Sequence, residues 1–498
     1  MANRLFVFGI GGTGARVIKS LAMLLASGCK LGSNIKTVVP ILIDPDTANG
    51  DLNRTKDILK LYQNIRAKVD KPNDFFGQDL KTINELSQDS TDINPEHFQF
   101  KLKGAHDSNF KDFIGYNSLD ERDKKFLDLF YSNQNLNSDL DVGFKGNPHM
   151  GSVVLNQFTE SDDFARFSQV FSPGDSIFII NSIFGGTGAA GFPLLLNTLR
   201  HDELDLPNAV LFRNAPIGGM TFLPYFRLEN DEESEIDSET FEEKAKTALS
   251  YYNRTIIKEN KINSLYFLGM GGATNVYENH EGKREQKNKA HFLELAGALS
   301  IFDYSKDVEK YKVENGEALN DTQIKEFGVI RENGAITFND LDASQADLLR
   351  DNLTRFKFFS RYLSKGLSRS LGASAWTKNG FLTTERTMLD KEFFNSANYK
   401  NYIVEFCKYF DEWIVELEKN DPSFSPFKPY VSPGNSLDLI NNSEPPLSKD
   451  GFKELDIQNG FYIDEVDKGD GEDEKEFTQL IKLFQKSTKE VLESKKLI

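Results

Sequence analysis

The sequence predicts an α/β protein built on a parallel sheet, and three observations carry that expectation. First, the apolar runs Leu5-Phe6-Val7-Phe8 and Ser176-Ile177-Phe178-Ile179-Ile180 lack polar alternation, which suits strands buried on both faces. Second, each run passes into a glycine-rich turn, after which apolar residues recur at helical spacing. Third, strand and helix patterns alternate through the first half of the chain, the order that produces parallel strands with crossover helices. At 498 residues the chain has room for about three average domains. Hydrophobic residues are 39% of it and Phe alone numbers 41, enough to fill a large core and to exclude a disordered chain.

Taken in order, the first strand Leu5 to Phe8 runs into Gly9-Ile10-Gly11-Gly12-Thr13-Gly14, and Val17, Ile18, Leu21, Leu24 and Leu25 then mark a helix. The second strand, Thr37 to Ile43, ends in Asp44-Pro45-Asp46. Residues 60–140 are polar and Asn/Asp-rich and read as an insertion of helices and long loops, followed by a turn cluster from Gly143 to Gly151. The strand at 176–180 leads into Phe184-Gly185-Gly186-Thr187-Gly188-Ala189-Ala190-Gly191 and a helix from Phe192 to Leu199. Further strands are expected around Ala209 to Phe212 and Gly219 to Phe226. The acidic run 229–239 reads as a solvated loop. A long helix, Thr240 to Glu259, precedes a strand at Ser264 to Leu268 and a helix at His291 to Tyr304. Residues 345–420 are mainly helical and 421–475 read as a poorly packed connector. Phe477, Leu480, Ile481, Phe484 and Val491 give a terminal amphipathic helix, expected to dock back onto its own domain.

Composition removes several functions. Lys and Arg number 59 against 76 Asp and Glu, a net charge of −17, which argues against a general nucleic-acid binder because phosphate binding leans on cations. The same charge makes any self-association expected to be salt-sensitive. The two cysteines, Cys29 and Cys407, and six histidines form no CxxC, HExxH or dense Cys/His cluster, so neither a disulfide scaffold nor a zinc site is expected. No apolar run approaches the ~18 residues of a membrane span. Leu21 to Gly28 resembles the end of a signal peptide, but Gly9 to Gly14 break the apolar region and Arg16 and Lys19 sit inside it. The expectation is a soluble cytoplasmic protein.

Gly-Gly-Thr-Gly occurs twice, at 11–14 and 185–188, each time between an apolar strand and a helix. Without a Cβ, successive backbone N–H groups can close on phosphate oxygens, and the helix N-terminus adds partial positive charge. In a parallel sheet both loops fall at the carboxyl ends of strands, where ligands bind in such folds. Thr13 and Thr187 are open to two roles, phosphate ligand or helix cap. A Walker-type P-loop is excluded, since no Lys-Ser/Thr follows either glycine run. Gly9 to Gly14 also satisfies the GxGxxG of a dinucleotide-binding domain, with Asp44 closing the second strand, but that reading leaves the second loop unexplained.

On these residues the chain resembles the tubulin/FtsZ superfamily, nearest its divergent bacterial tubulin-like members. Gly185 to Gly191 looks like the family's glycine-rich signature and Gly9 to Gly14 like its first nucleotide loop. Asp46 falls where the family has an acid after its second strand, and Gly146-Asn147-Pro148 is similar to the loop facing the γ-phosphate. The resemblance covers roughly residues 1–305. It implies a Rossmann-like nucleotide domain at 1–238 and a central helix at 239–260 leading to a second domain; the residue pattern itself gives that α+β domain as 261–420 with helical additions, then the connector 421–475 and the terminal helix 476–498. It implies GTP or GDP as the ligand, with ATP left open, Mg²⁺ as a possible companion, and head-to-tail assembly with copies of itself into filaments. The implied phosphate site is Gly11, Gly12, Thr13, Gly14, Gly146, Asn147, Gly185, Gly186, Thr187 and Gly188, with Asp46 orienting a hydrated Mg²⁺ or the ribose.

The chain departs from the family at three places. Ala15-Arg16 stand where FtsZ commonly has Asn, and Thr13 replaces a Gly. Lys244 or Ala245 stands near the family's guanine-reading Asn, and Lys261 to Leu265 contains no Asp to supply the hydrolytic acid, Glu259 being the nearest. GTP hydrolysis is thus an open question, and no catalytic residue is assigned. The alternative is a non-hydrolysing scaffold that binds partner proteins through the insertion 60–140 and the C-terminal region. An NAD-dependent oxidoreductase ranks third, for want of a catalytic Cys or His constellation.

Overall fold

In the computed structural model the two apolar runs lie side by side at the centre of one sheet. The structure describes residues 3–71, 74–87, 98–100, 108–144, 146–229, 240–270, 275–280, 282–313, 319–326, 334–378, 389–441, 443, 450–466 and 475–498. Apart from a separate two-stranded sheet in which Arg227–Leu228 pairs with Val276–Tyr277, its strands form one main sheet: β1 (Arg4–Ile10), β2 (Thr37–Ile43), β3 (Asp79–Leu80), β4 (Ser176–Ser182), β5 (Ile217–Phe222), β6 (Ser264–Leu268) and β7 (Gln323–Glu326). They pair in the order β3-β2-β1-β4-β5-β6-β7, and every pairing is parallel. This is the Rossmann-like α/β architecture the sequence predicts.

Side-chain alternation along β1 divides the interior into two cores. Leu5 and Val7 point into one, Phe6, Phe8 and Ile10 into the other. The first core packs α1 (Gly11–Ala26) and α2 (Gly50–Arg66) against the sheet. The second takes α3 (Pro148–Leu155), α4 (Gly186–Leu199) and α5 (Phe241–Tyr252). Back on the first face lie α6 (Phe292–Asp307), α7 (Glu405–Lys419) and α8 (Lys475–Ser494), with the 23-residue helix Ala343–Lys365 beside them. The terminal helix α8 docks as expected, burying Phe477, Leu480, Ile481, Phe484 and Val491.

Three expectations need correction. Ala209 to Phe212 belongs to a helix, Ala209–Asn214, and not to a strand; a four-residue apolar run does not separate the two by pattern. The long helix expected from Thr240 to Glu259 is α5 followed by a π-turn at Asn253–Ile257. It returns the chain to β6, which pairs with β5, so it is a crossover between neighbouring strands. The sheet therefore continues past residue 261 through β6 and β7, where a second domain was expected. Finally, the described part of 421–475 is not loosely packed, because Phe424, Phe427, Leu437, Leu439 and Phe452 are all buried. The acidic run, apart from Glu229, and residues 72–73, 88–97 and 101–107 of the insertion lie outside the described residues.

Candidate phosphate-binding site

The sheet order reverses direction between β1 and β4: the chain leaves β1 toward β2 and leaves β4 toward β5. The crevice beyond the carboxyl ends of such a pair is where open α/β sheets bind ligands. Both Gly-Gly-Thr-Gly loops open there. Helix α1 begins at Gly11, whose φ of +72° lies in the left-handed region, and α4 begins directly after Gly185. Neither helix has a side-chain cap or an acidic residue in its first turn. Their leading N–H groups have no intrahelical acceptor, and with the helix dipoles they favour an anion.

The loops touch each other. A methyl added at Gly11 would stand 3.6 Å from Thr187 Cβ and 3.7 Å from Gly188 N. A third loop closes the group: a methyl at Gly186 would stand 3.1 Å from the backbone nitrogens of both Gly146 and Asn147. Gly143 and Gly146 take φ of +79° and +72°, conformations that let this loop fold against α4. Thr13, Asp44, Asp46, Gly143, Gly186 and Thr187 wall a cavity of about 130 Å³ between the loops. At Gly146, Phe184 and Gly185 it meets a larger groove of about 1,410 Å³ between α3, α4 and α5. The cavity is too small for a whole drug-sized ligand, which needs ~300 Å³ or more. Its size and its donors suit a phosphate group, with the adjoining space left for the rest of a nucleotide.

The predicted residues divide by task. Thr13, Asp46, Gly146, Gly185, Gly186 and Thr187 line the cavity, while Asn147 lines the groove. Gly14 serves packing, since a methyl there would meet Gly9 backbone at 2.5 Å, and Gly188 does the same against Ser182 at 2.7 Å. Gly11 holds the contact between loops, and Gly12 stands over the Arg16 guanidinium. The Thr13 hydroxyl accepts a bond from Arg16 Nη2 at 3.3 Å and caps no helix. Asn147 Oδ1 accepts from the backbone of His149 and Met150, so its side chain caps α3. Asp46 accepts N–H bonds from Ala48 at 3.0 Å and Lys283 at 2.6 Å. Burial pushes its carboxyl up, and burial together with the Asp46 charge pushes Asp44 up to about 8. Two acids beside a phosphate cradle would repel the ligand if both were ionised, and burial opposes the ionisation of both. Among the described residues, no group of three or more His, Cys, Asp or Glu is placed to hold a metal.

Sequence reading missed the charged cluster behind the first loop. Arg16, buried on the cavity wall, donates to Asp51 at 2.6 Å, to Glu294 at 2.5 Å and to the Tyr225 hydroxyl at 2.9 Å. Burial opposes ionisation of Glu294, yet Arg16 and Lys19 outweigh it and hold that carboxyl below its usual value. One turn along α1, Lys19 approaches Glu416 of α7 at 3.4 Å, and Arg54 of α2 reaches the same carboxylate. Burial, with Arg54 adding repulsion, lowers Lys19 to about 8. The available signal was two basic residues inside an otherwise apolar helical run, since charges are rarely fully buried unless paired. A strap at 282–289 was also missed: Asp51 N–H donates to the Gln286 carbonyl at 3.1 Å, and Gln286 and Asn288 face the cavity. Nothing in its composition marks it.

The hydrolytic position is quiet. Glu259 pairs with Lys261 at 2.6 Å, and the buried Asn263 accepts the Ile217 N–H at 2.8 Å, tying it to the sheet. Cys29 and Cys407 are buried and their thiols pushed up by desolvation, so neither is a nucleophile.

Fold and site together define an α/β protein with a glycine-loop cleft at the switch point of a parallel sheet. No protein-family model and no curated protein matches the sequence. Among solved structures the chain is similar to CetZ2 from Haloferax volcanii, seen as a GTPγS-bound protofilament, at 11% identity and a TM-score of 0.27. That match covers 61% of this chain and 58% of the other, so the chain spans less than two thirds of its neighbour's length. No described helix is long and apolar enough to cross a membrane.

Proposed function

We propose that the protein is a cytoplasmic, tubulin/FtsZ-like nucleotide-binding protein that takes GTP or GDP and associates head to tail with itself. The observation that carries the nucleotide part is the convergence of two uncapped helix N-termini and of Gly143 and Gly146 on one small cavity. Backbone N–H groups at Gly185 and Gly186 are assigned to phosphate oxygens, with Thr13 and Thr187 beside them and Gly11 and Gly12 shaping the first loop behind them. The choice of guanine and the self-association follow from the sequence resemblance. A Mg²⁺ ion, when bound with the nucleotide, would be oriented by the Asp46 carboxylate, with Asp44 beside it on the cavity wall, and would neutralise phosphate charge there.

Binding without rapid turnover is the form of this reading favoured by the Glu259–Lys261 pair, since no other acid stands at that position. A positioned general base is worth about 10²–10⁴ in rate. The test is to denature purified protein and identify what it releases, then to follow phosphate release with added GTP. Released guanine nucleotide with phosphate release near background is the expected result. Protein that carries no nucleotide and binds neither GTP nor ATP would leave the glycine loops as packing devices and favour the scaffold reading.

A further inference from the structure

The strap at 282–289 has a second side. Gln286 and Asn288 face the phosphate cavity, while Lys287 between them lines a separate cavity of about 600 Å³. This second cavity opens between α2, α7 and the helix Ala343–Lys365, and its volume falls within the ~300–1,000 Å³ of small-molecule sites. Arg54 of α2 connects the two: it lines the second cavity, and its Nη2 donates to the Asn288 carbonyl at 3.0 Å. Glu416 of α7, on the same wall, accepts from Arg54 and from the Ala290 N–H at 2.8 Å. The strap is thus pinned on one side by Asp46 and Asp51, next to the phosphate cavity, and on the other by Arg54 and Glu416.

Four cations line the second cavity, Arg54, Lys287, Lys365 and Lys408, against three acids, Asp411, Glu412 and Glu416. That local surplus runs against the −17 of the whole chain. Several of these charges are engaged within the wall: Arg54 holds Glu416, Lys357 and the Ser360 hydroxyl hold Asp411, and Lys408 pairs with Glu405. Among the described residues neither Lys287 nor Lys365 makes an ion pair. The Nε–H of Arg54, a residue only 8% exposed, has no acceptor, and a buried donor is costly to leave unmet. Leu363, Val404 and Val415 add an apolar flank, with the two valines 42% and 39% exposed.

We propose that this cavity binds a small carboxylate with an aliphatic body, and that the bound molecule steadies the strap over the phosphate cavity. The open donors on Arg54, Lys287 and Lys365 are matched to the carboxylate oxygens, and Leu363, Val404 and Val415 to its carbons. One negative charge balances a surplus of one cation, whereas a phosphate dianion would meet Asp411 and Glu416 with charge to spare. A ligand held by Lys287 and Arg54 fixes the segment whose neighbouring residues, Gln286 and Asn288, wall the phosphate cavity, so it slows release from that cavity.

The site itself is independent of the nucleotide reading; its effect through the strap rests on that reading. Calorimetric titration of the full chain with octanoate tests the site, with acetate, octyl phosphate and octylammonium as controls. Expected is one octanoate per chain, bound at least tenfold more tightly than any control. Lys287→Gln combined with Lys365→Gln, both exposed positions, should weaken octanoate at least tenfold with the melting temperature unchanged. No saturable binding, a control that binds as tightly, or binding untouched by the double variant would overturn the site. The effect through the strap is read from the release rate of GDP with and without saturating octanoate. That rate is expected to fall at least fivefold, the lower end of the about 5–150-fold by which coupled sites affect each other. An unchanged rate in protein that holds GDP would overturn the coupling alone. Protein that binds octanoate but no guanine nucleotide would overturn the nucleotide reading and the coupling with it, and would support the site.

Discussion

The two Gly-Gly-Thr-Gly loops have one sequence and one topological setting but opposite surroundings. After the first, α1 is buried along nearly its whole length and Arg16 ties the loop to α2, Tyr225 and α6. After the second, five of the fourteen residues of α4, Thr187 among them, are only partly buried and face the groove or the cavity. The first loop is a clamped floor and the second an accessible wall. A short motif thus fixes backbone shape, while the residues after it decide whether the loop is held or free.

Removing the clamp has the largest expected effect. Arg16→Ala leaves Asp51 and Glu294 buried without their cation, and breaking such a pair costs about 3–5 kcal/mol. Denaturant unfolding measures it, and a loss under 1 kcal/mol would mean the cluster is not holding the first loop. Next comes Gly14→Ala, where a methyl meets Gly9 backbone, with an expected loss of about 1–3 kcal/mol as strand and helix move apart.

Asp44, under the first loop, keeps its proton up to about pH 8 in the folded chain, far above its ordinary value of 3.8. The folded state binds more protons in that window, so stability falls as pH rises through it and levels off above. Asp44→Asn removes this fall. Between pH 6 and 8 the wild type should lose about 2 kcal/mol relative to the variant, at ~1.4 kcal/mol per unit. Lys19, lowered to about 8, acts in the opposite sense and only above that value. Equal slopes for wild type and variant would show that Asp44 ionises normally.

The accessible wall should respond differently. Gly186→Ala presses on the nitrogens of Gly146 and Asn147, so nucleotide retention is expected to fall at least tenfold while stability changes by about 1 kcal/mol or less. Smallest is Thr187→Ala, expected to weaken retention a few-fold without moving the melting temperature.

Much of the fold was legible because its central strands are short apolar runs bounded by glycine turns, a pattern with few alternatives. The glycine loops were legible for the same local reason. What lay hidden depends on distance along the chain: Arg16 finds Glu294 across 278 residues, and Gln286 folds over Asn49 and Asp51. The helix Ala209–Asn214 and the end of α5 were misread because four apolar residues and a π-turn leave no distinct spacing. The side chain of Asn147, expected beside the phosphates, caps α3, a local role its sequence position before Pro148 also fits.

The most direct test of the central claim is an equilibrium titration of nucleotide-free protein with GTP, GMP and guanosine, repeated on folded Gly186→Val. Tight binding of GTP, much weaker binding of GMP, none of guanosine, and loss of GTP binding in the variant are expected. Equal affinity for GTP and guanosine, or GTP binding untouched by Gly186→Val, would contradict that claim.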